Sequence, residues 1–181
     1  MKTTQKIALL SALLPFTVGH AAEGFTLSSA DLNANTSISP SQYWDNFGCT
    51  GSNERPRLKW SGAPDGTKSY AITFYDQDAP TGSGFWHWGV YNIPSSVNAV
   101  DGEALPEGAV ESNTDMGEPG YLGPCPPVGR KHTYTYRVHA LDVDILDVPV
   151  GATAALTGFF IYQHTMDTAA LPVIAGPRVA E

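Results

Sequence analysis

Three stretches of the chain alternate apolar and polar positions with a period of two, the pattern of half-buried β-strands. In Tyr70 to Tyr75, the residues Tyr70, Ile72 and Phe74 fall on one face. In Trp86 to Ile93, Trp86, Trp88 and Val90 share a face and His87 points the other way. In Thr133 to Leu141, Tyr134, Tyr136, Val138 and Ala140 line one side, leaving Arg137 and His139 on the other. Their aromatic and β-branched content favours strand over helix. Shorter candidates are Phe25 to Ser28, Arg57 to Trp60 and Leu171 to Ala175. One helix is predicted from Thr153 to about Met166, with Thr153 as its cap and Leu156, Phe159, Phe160 and Gln163 on one stripe. Phe159 and Phe160 are expected in the core. Ser95 to Leu122 carries six acidic residues, no basic ones and four glycines. It reads as a long loop with room for a short strand, and loops of that length often carry function. These elements make one mainly-β domain with about one helix.

The N-terminus departs from this pattern. Lys2 and Lys6 precede an apolar run, Ile7 to Val18, and Gly19-His20-Ala21 offers small residues at the two positions a cleavage site needs. Residues 1–21 read as a secretory signal peptide, because the run is too short to span a bilayer. The expected mature chain is 22–181, a single domain, periplasmic or secreted, with no transmembrane anchor. Without Lys2 and Lys6, 8 basic residues stand against 18 acidic ones, a formal charge of −10. Such a surface repels nucleic acid and anionic membrane, so any anion site must act locally against the global field. Cys49 and Cys125 are the two cysteines. In an exported chain they are expected to form a disulfide, with two buried thiols as the alternative. Neither stands at zinc-ligand spacing from a histidine or the other cysteine, so no metal is expected.

Two motifs carry candidate chemistry. The first is Asp76-Gln77-Asp78-Ala79-Pro80, followed by Trp86-His87-Trp88. Asp76 ends an apolar strand, Pro80 stiffens the turn, and the chain re-enters a strand at Trp86. Asp76 and His87 thus flank one connection and can meet at one end of a sheet. Spacing alone leaves open a turn aspartate and a strand histidine with no shared role. The second motif is Gly123-Pro124-Cys125-Pro126-Pro127, followed by His132-Thr133-Tyr134. Its prolines make a rigid loop poor in N–H donors, and Gly123 permits close approach with its own N–H available. His132 and Tyr134 lie two apart on one strand face, where an imidazole and a phenol can both donate to a phosphate oxygen. A stiff surface loop before an aromatic strand is the alternative. Asp76 would repel phosphate unless it orients a histidine or meets an ammonium group. With histidine donors, anion affinity is expected to rise as pH falls through about 6.5. No nucleophile elbow, phosphate-cradling Gly-Lys-Ser/Thr loop or His-Glu-x-x-His motif is present, so no catalytic residue and no cofactor is expected. His139 and His164 read as structural or solvated.

The run Tyr75 to Pro94 resembles the first signature of phosphatidylethanolamine-binding proteins, and Gly120 to Pro127 with His132-Thr133-Tyr134 resembles the second. Phe47-Gly48-Cys49-Thr50-Gly51 and Leu58-Lys59-Trp60-Ser61-Gly62-Ala63-Pro64 are similar to the bacterial, Raf-kinase-inhibitor-like branch. The resemblance implies a Greek-key β-sandwich with a peripheral helix and an anion pocket at one end of the sheets. It places Asp76, His87, Gly123, Pro126, Pro127, His132 and Tyr134 at the pocket positions. It implies a binding or regulatory protein, not an enzyme, whose ligand is phosphate or a phospholipid head group. A protein-directed inhibitor or modulator acting through surface loops is the alternative, and a phosphate-ester hydrolase a weaker one. Monomer and homodimer stay open. Four departures stand out. Gln77 replaces the usual proline and loosens its turn, Arg55 replaces a usual serine before Pro56, Arg130-Lys131 adds local positive charge before His132, and the match is poor after Tyr162.

Overall fold

The computed structural model describes residues 24–179. The expected signal peptide, residues 1–21, lies outside them. The alternating stretches pair with one another in antiparallel register. β3 (Ser69–Asp76) is the middle strand of a five-stranded sheet, between β4 (Phe85–Pro94) and β7 (His132–Leu141). β6 (Val110–Glu111) and β8 (Thr165–Ala175) close its edges. A second sheet joins β1 (Thr26–Ser29), β2 (Leu58–Ser61) and β5 (Ala99–Val100) in that order. The short strands β5 and β6 both come from the acidic connection 95–122. The segment after Tyr162 is a full strand: β8 pairs with β7 from Thr165 to Ala175.

The core lies between the two sheets. Ile72, Phe74, Trp88, Val90, Tyr134, Tyr136 and Val138 from the large sheet meet Leu58, Trp60 and Val100 from the small one. Phe74 is fully buried and stacks on Tyr136 with ring centroids 3.9 Å apart. α1 (Ala154–His164) covers the outer face of the large sheet. There a smaller cluster joins Ile161 to Ala71, Leu141 and Leu146. Thr153 caps the helix, its hydroxyl accepting from the Leu156 amide at 3.2 Å, which satisfies one of the orphan donors of the first turn.

Two expectations are corrected. The helix buries Ala154, Thr157 and Ile161, while Leu156 is 41% and Phe159 53% exposed. The cause is close approach: a Cβ on Gly158 would stand 3.1 Å from the Trp86 ring. The helix therefore presents its small residues to a sheet face already occupied by a large ring; Leu156 and Phe159 turn to solvent, while Phe160, half-buried, packs against the Ile161 cluster. The second correction concerns β4. Its register against β3 jumps between Phe74↔Trp88 and Tyr75↔Trp86, so His87 is an extra residue in the strand. Trp86 packs on Tyr75 at 4.7 Å and faces the helix, while Trp88 lies in the inter-sheet core. The two tryptophans do not share a face, because a bulge breaks the period of two and re-aims the side chains around it.

The helix orientation gives a stability test. Ile161→Ala is expected to cost about 2–4 kcal/mol, as a buried aliphatic truncation does. Phe159→Ala is expected to stay within roughly 0.5–1 kcal/mol. Urea unfolding of both variants measures this, and the reverse order would mean that the other face of the helix is buried.

Candidate functional site

Asp76 ends β3 with its side chain only 4% exposed. A carboxylate so placed must have its oxygens satisfied. Oδ1 accepts from the Asp78 amide at 2.9 Å, and Oδ2 from His132 Nδ1 at 2.7 Å across to β7. The Asp78 carboxylate then accepts from the Thr133 amide at 2.7 Å. The turn that Gln77 was expected to loosen is tied to β7 by these two aspartates.

His87 reaches the same place from β4. The bulge turns its ring inward, against Phe74 at 5.4 Å, Phe85 at 4.8 Å and edge-on to Tyr134 at 5.2 Å. Its Nδ1 donates to the Leu122 carbonyl at 3.1 Å, and the Leu122 amide donates back to the His87 carbonyl at 3.0 Å. The end of the long acidic connection is thereby pinned beside β4. Burial lowers the His87 pKa to about 4, against the opposite pull of the Asp76 charge and the Leu122 and Gly123 carbonyls. Burial, and then the Asp76 charge, push the Tyr134 phenol well above its usual range.

Asp76, His87, His132 and Tyr134 converge on one cavity of about 250 Å³. Residues 45 and more apart in sequence thus share one polar floor. Its rim is apolar: Trp44, Phe47, Phe85, Met116, Pro80 and Pro127. A larger groove of about 700 Å³ crosses β1, β2 and β5, but no titratable group lining it is buried.

Two expected residues stand behind the wall instead of in it. The Gly123 N–H is not free, because it donates to Asn53 Oδ1 at 2.6 Å. Its close approach is to the chain itself, where a Cβ would collide with the Gln42 carbonyl and the Trp44 amide. Pro126 is buried, and its carbonyl accepts from Arg178 Nε at 2.7 Å. Of the loop's expected residues, Pro127 lines the cavity. Cys49 and Cys125 are bonded, and Cys125 lines the cavity too. The disulfide carries Trp44 and Phe47, stacked at 5.1 Å, up to the rim. Their closeness to Cys49 in sequence is the one clue to that role. Arg55 sits 5.2 Å over Trp88, pairs with Glu111 at 3.6 Å and binds the Gly102 and Glu103 carbonyls, so it ties down the acidic connection. His139 faces away from the pocket, with its Nε2 3.1 Å from the Thr73 hydroxyl, and His164 pairs with Asp142 at 2.9 Å.

The profile described as phosphatidylethanolamine-binding protein matches residues 25–174. The chain belongs to that family. It is 40% identical over 173 residues to the YbcL protein of Escherichia coli (strain K12), covering 91% of this chain and 94% of the relative. The YbhB protein of the same organism is 39% identical over 151 residues, 80% of this chain and 96% of that one. The crystal structure of YbcL superposes with a TM-score of 0.80 at 38% identity, covering 87% of this chain and 99% of the other. A Plasmodium vivax phosphatidylethanolamine-binding protein, 14% identical with a TM-score of 0.54, shares the fold over 86% of each chain. The expected mainly-β sandwich with a peripheral helix is therefore the fold of this family member.

Two buried imidazoles give an acid-stability test. Burial lowers both His87 and His139 to about 4. In the unfolded chain each binds a proton near 6.5. The unfolded state thus gains protons first as pH falls, and stability is lost between about pH 6.5 and about pH 4. The loss is expected to reach roughly 3 kcal/mol for each ring. His139→Gln, which leaves the pocket untouched, removes its share. Urea unfolding at about pH 7 and about pH 4.5 reads the difference; a flat profile in the parent chain would contradict the assignment.

Proposed function

We propose that this chain is an exported binding protein, periplasmic or secreted, for a small phosphorylated or zwitterionic ligand of the phosphoethanolamine type. Membership of the family supports binding rather than turnover. The observation that carries the reading is the meeting of His87, His132, Asp76 and Tyr134 at the floor of one cavity with an apolar rim. A head group is matched to both parts. Its phosphoryl oxygens meet the imidazoles, its ammonium meets Asp76, and its carbon substituent lies along Trp44, Phe47 and Met116. The N-terminal basic and apolar pattern and the disulfide, which belongs in an oxidising compartment, support export. With a net charge of −8 on the whole chain, ligand capture has to be local, so binding is expected to vary little with added salt.

Calorimetric titration with O-phosphoethanolamine tests this. A dissociation constant on the order of 1 mM or tighter is expected, weakened at least about tenfold in His87→Ala and in His132→Ala. Circular dichroism confirms that each variant is folded. Equal affinity in both folded variants, or no binding by the parent chain, would contradict the proposal.

A further inference from the structure

The pocket floor faces its ligand with acceptors. His87 has committed its Nδ1 proton to the Leu122 carbonyl, and His132 has committed its own to Asp76. Both partners are oxygens that can only accept there, so the tautomer is decided by the partner and not by choice. Among the described residues no hydrogen bond reaches Nε2 of either ring, and neither Nε2 is a sealed-off buried atom. Both rings line the cavity. Each can turn an N–H toward a ligand only as an imidazolium. Tyr134 also lines the cavity, and burial beside the Asp76 carboxylate keeps its phenol protonated, so its O–H is the one neutral side-chain donor among these four groups. In the loop, the prolines at 124, 126 and 127 have no N–H, the Gly123 amide is taken by Asn53, and the Cys125 amide faces the Tyr134 phenol oxygen.

From this geometry we infer that a tetrahedral oxyanion gains its two imidazole contacts only together with a proton, so that binding is proton-linked. A bare dianion would meet two lone pairs and a carboxylate. A proton on His87 Nε2 or His132 Nε2 converts an acceptor into a charge-assisted donor, and an acidic P–OH on the ligand serves the same end from the other side. The groups that face His87 are Asp76 from β3 and His132 and Tyr134 from β7. Those that face His132 are Asp76, Tyr134 and His87. The connections carrying Trp44, Phe47, Thr81 and Met116 bring no charged side chain to the lining. Asp76 keeps the imidazolium favourable once an anion has arrived, while burial opposes it beforehand. The ligand therefore supplies part of the charge that lets the proton stay. Burial lowers the His87 pKa to about 4, so the gain in affinity on acidification extends below the ordinary histidine range and is not centred at about 6.5.

The inference rests on the proposed anion site, and the experiment separates the two. Inorganic phosphate and sulfate are titrated by calorimetry between about pH 5 and about pH 8, in buffers of different ionisation heat. Sulfate keeps one charge state over that span, so any proton taken up goes to the protein. Uptake approaching one proton per anion is expected, with sulfate affinity falling up to about tenfold per pH unit. Sulfate that binds only at the acid end, while phosphate still binds near neutrality, also supports the inference, because phosphate brings its own proton. His87→Gln carries an amide N–H that needs no added proton. It is expected to bind sulfate with a flatter pH dependence and less uptake than the parent chain. Anion binding with no proton uptake and no pH dependence would overturn the inference and leave the anion site standing, with a neutral donor such as the Trp44 indole N–H implicated. Failure of both anions to bind at any pH would overturn the site and the inference together.

Discussion

A carboxylate at the end of the central strand has to be satisfied, and the pocket is built around that requirement. Asp76 is nearly inaccessible, and its removal from water is tolerable only with donors in place. One donor is an amide of its own turn and the other is an imidazole from the neighbouring strand. These bonds fix where β3 ends, how the turn leaves the sheet and which nitrogen of His132 faces the cavity. The same carboxylate acts on Tyr134 and His87 by its charge. Three side chains from two neighbouring strands are thus bonded to, or act under the charge of, this one group.

The second constraint is the bulge at His87. An unbroken strand would put His87 on the helix side and Trp86 in the core, as a strict period of two requires. The extra residue opposite Phe74 reverses this locally. It brings an imidazole to the floor and leaves a large ring for the helix to meet. The helix answers with Gly158, and Leu156 and Phe159 face solvent as a result. A local backbone irregularity thus shapes both faces of the large sheet.

Much of the fold was legible because strand alternation is local. β3, β4 and β7 are found within a residue or so of their expected limits, and Thr153 is the helix cap. What escaped depends on contacts distant in sequence. Nothing local to Trp86-His87-Trp88 announces a bulge, since its cause is the register against β3. The exposure of Phe159 follows from Trp86, which is 73 residues away. The Gly123 amide is taken by Asn53, and the rim residues Trp44 and Phe47 reach the site through a disulfide to Cys125. The floor residues were readable because two histidines and an aspartate each stand at a strand end beside a rigid turn. The rim was not, because apolar residues in loops carry no signature of their own.

The central claim is that His87 and His132 present bare Nε2 atoms to one shared cavity, held so by the Leu122 carbonyl and Asp76. Heteronuclear NMR of the imidazole nitrogens at neutral pH tests it most directly. The account predicts that His87 carries its proton on Nδ1, and that added phosphate shifts the Nε2 signals of both rings while leaving His139 and His164 in place. A His87 proton on Nε2, or phosphate that moves neither ring, would contradict it.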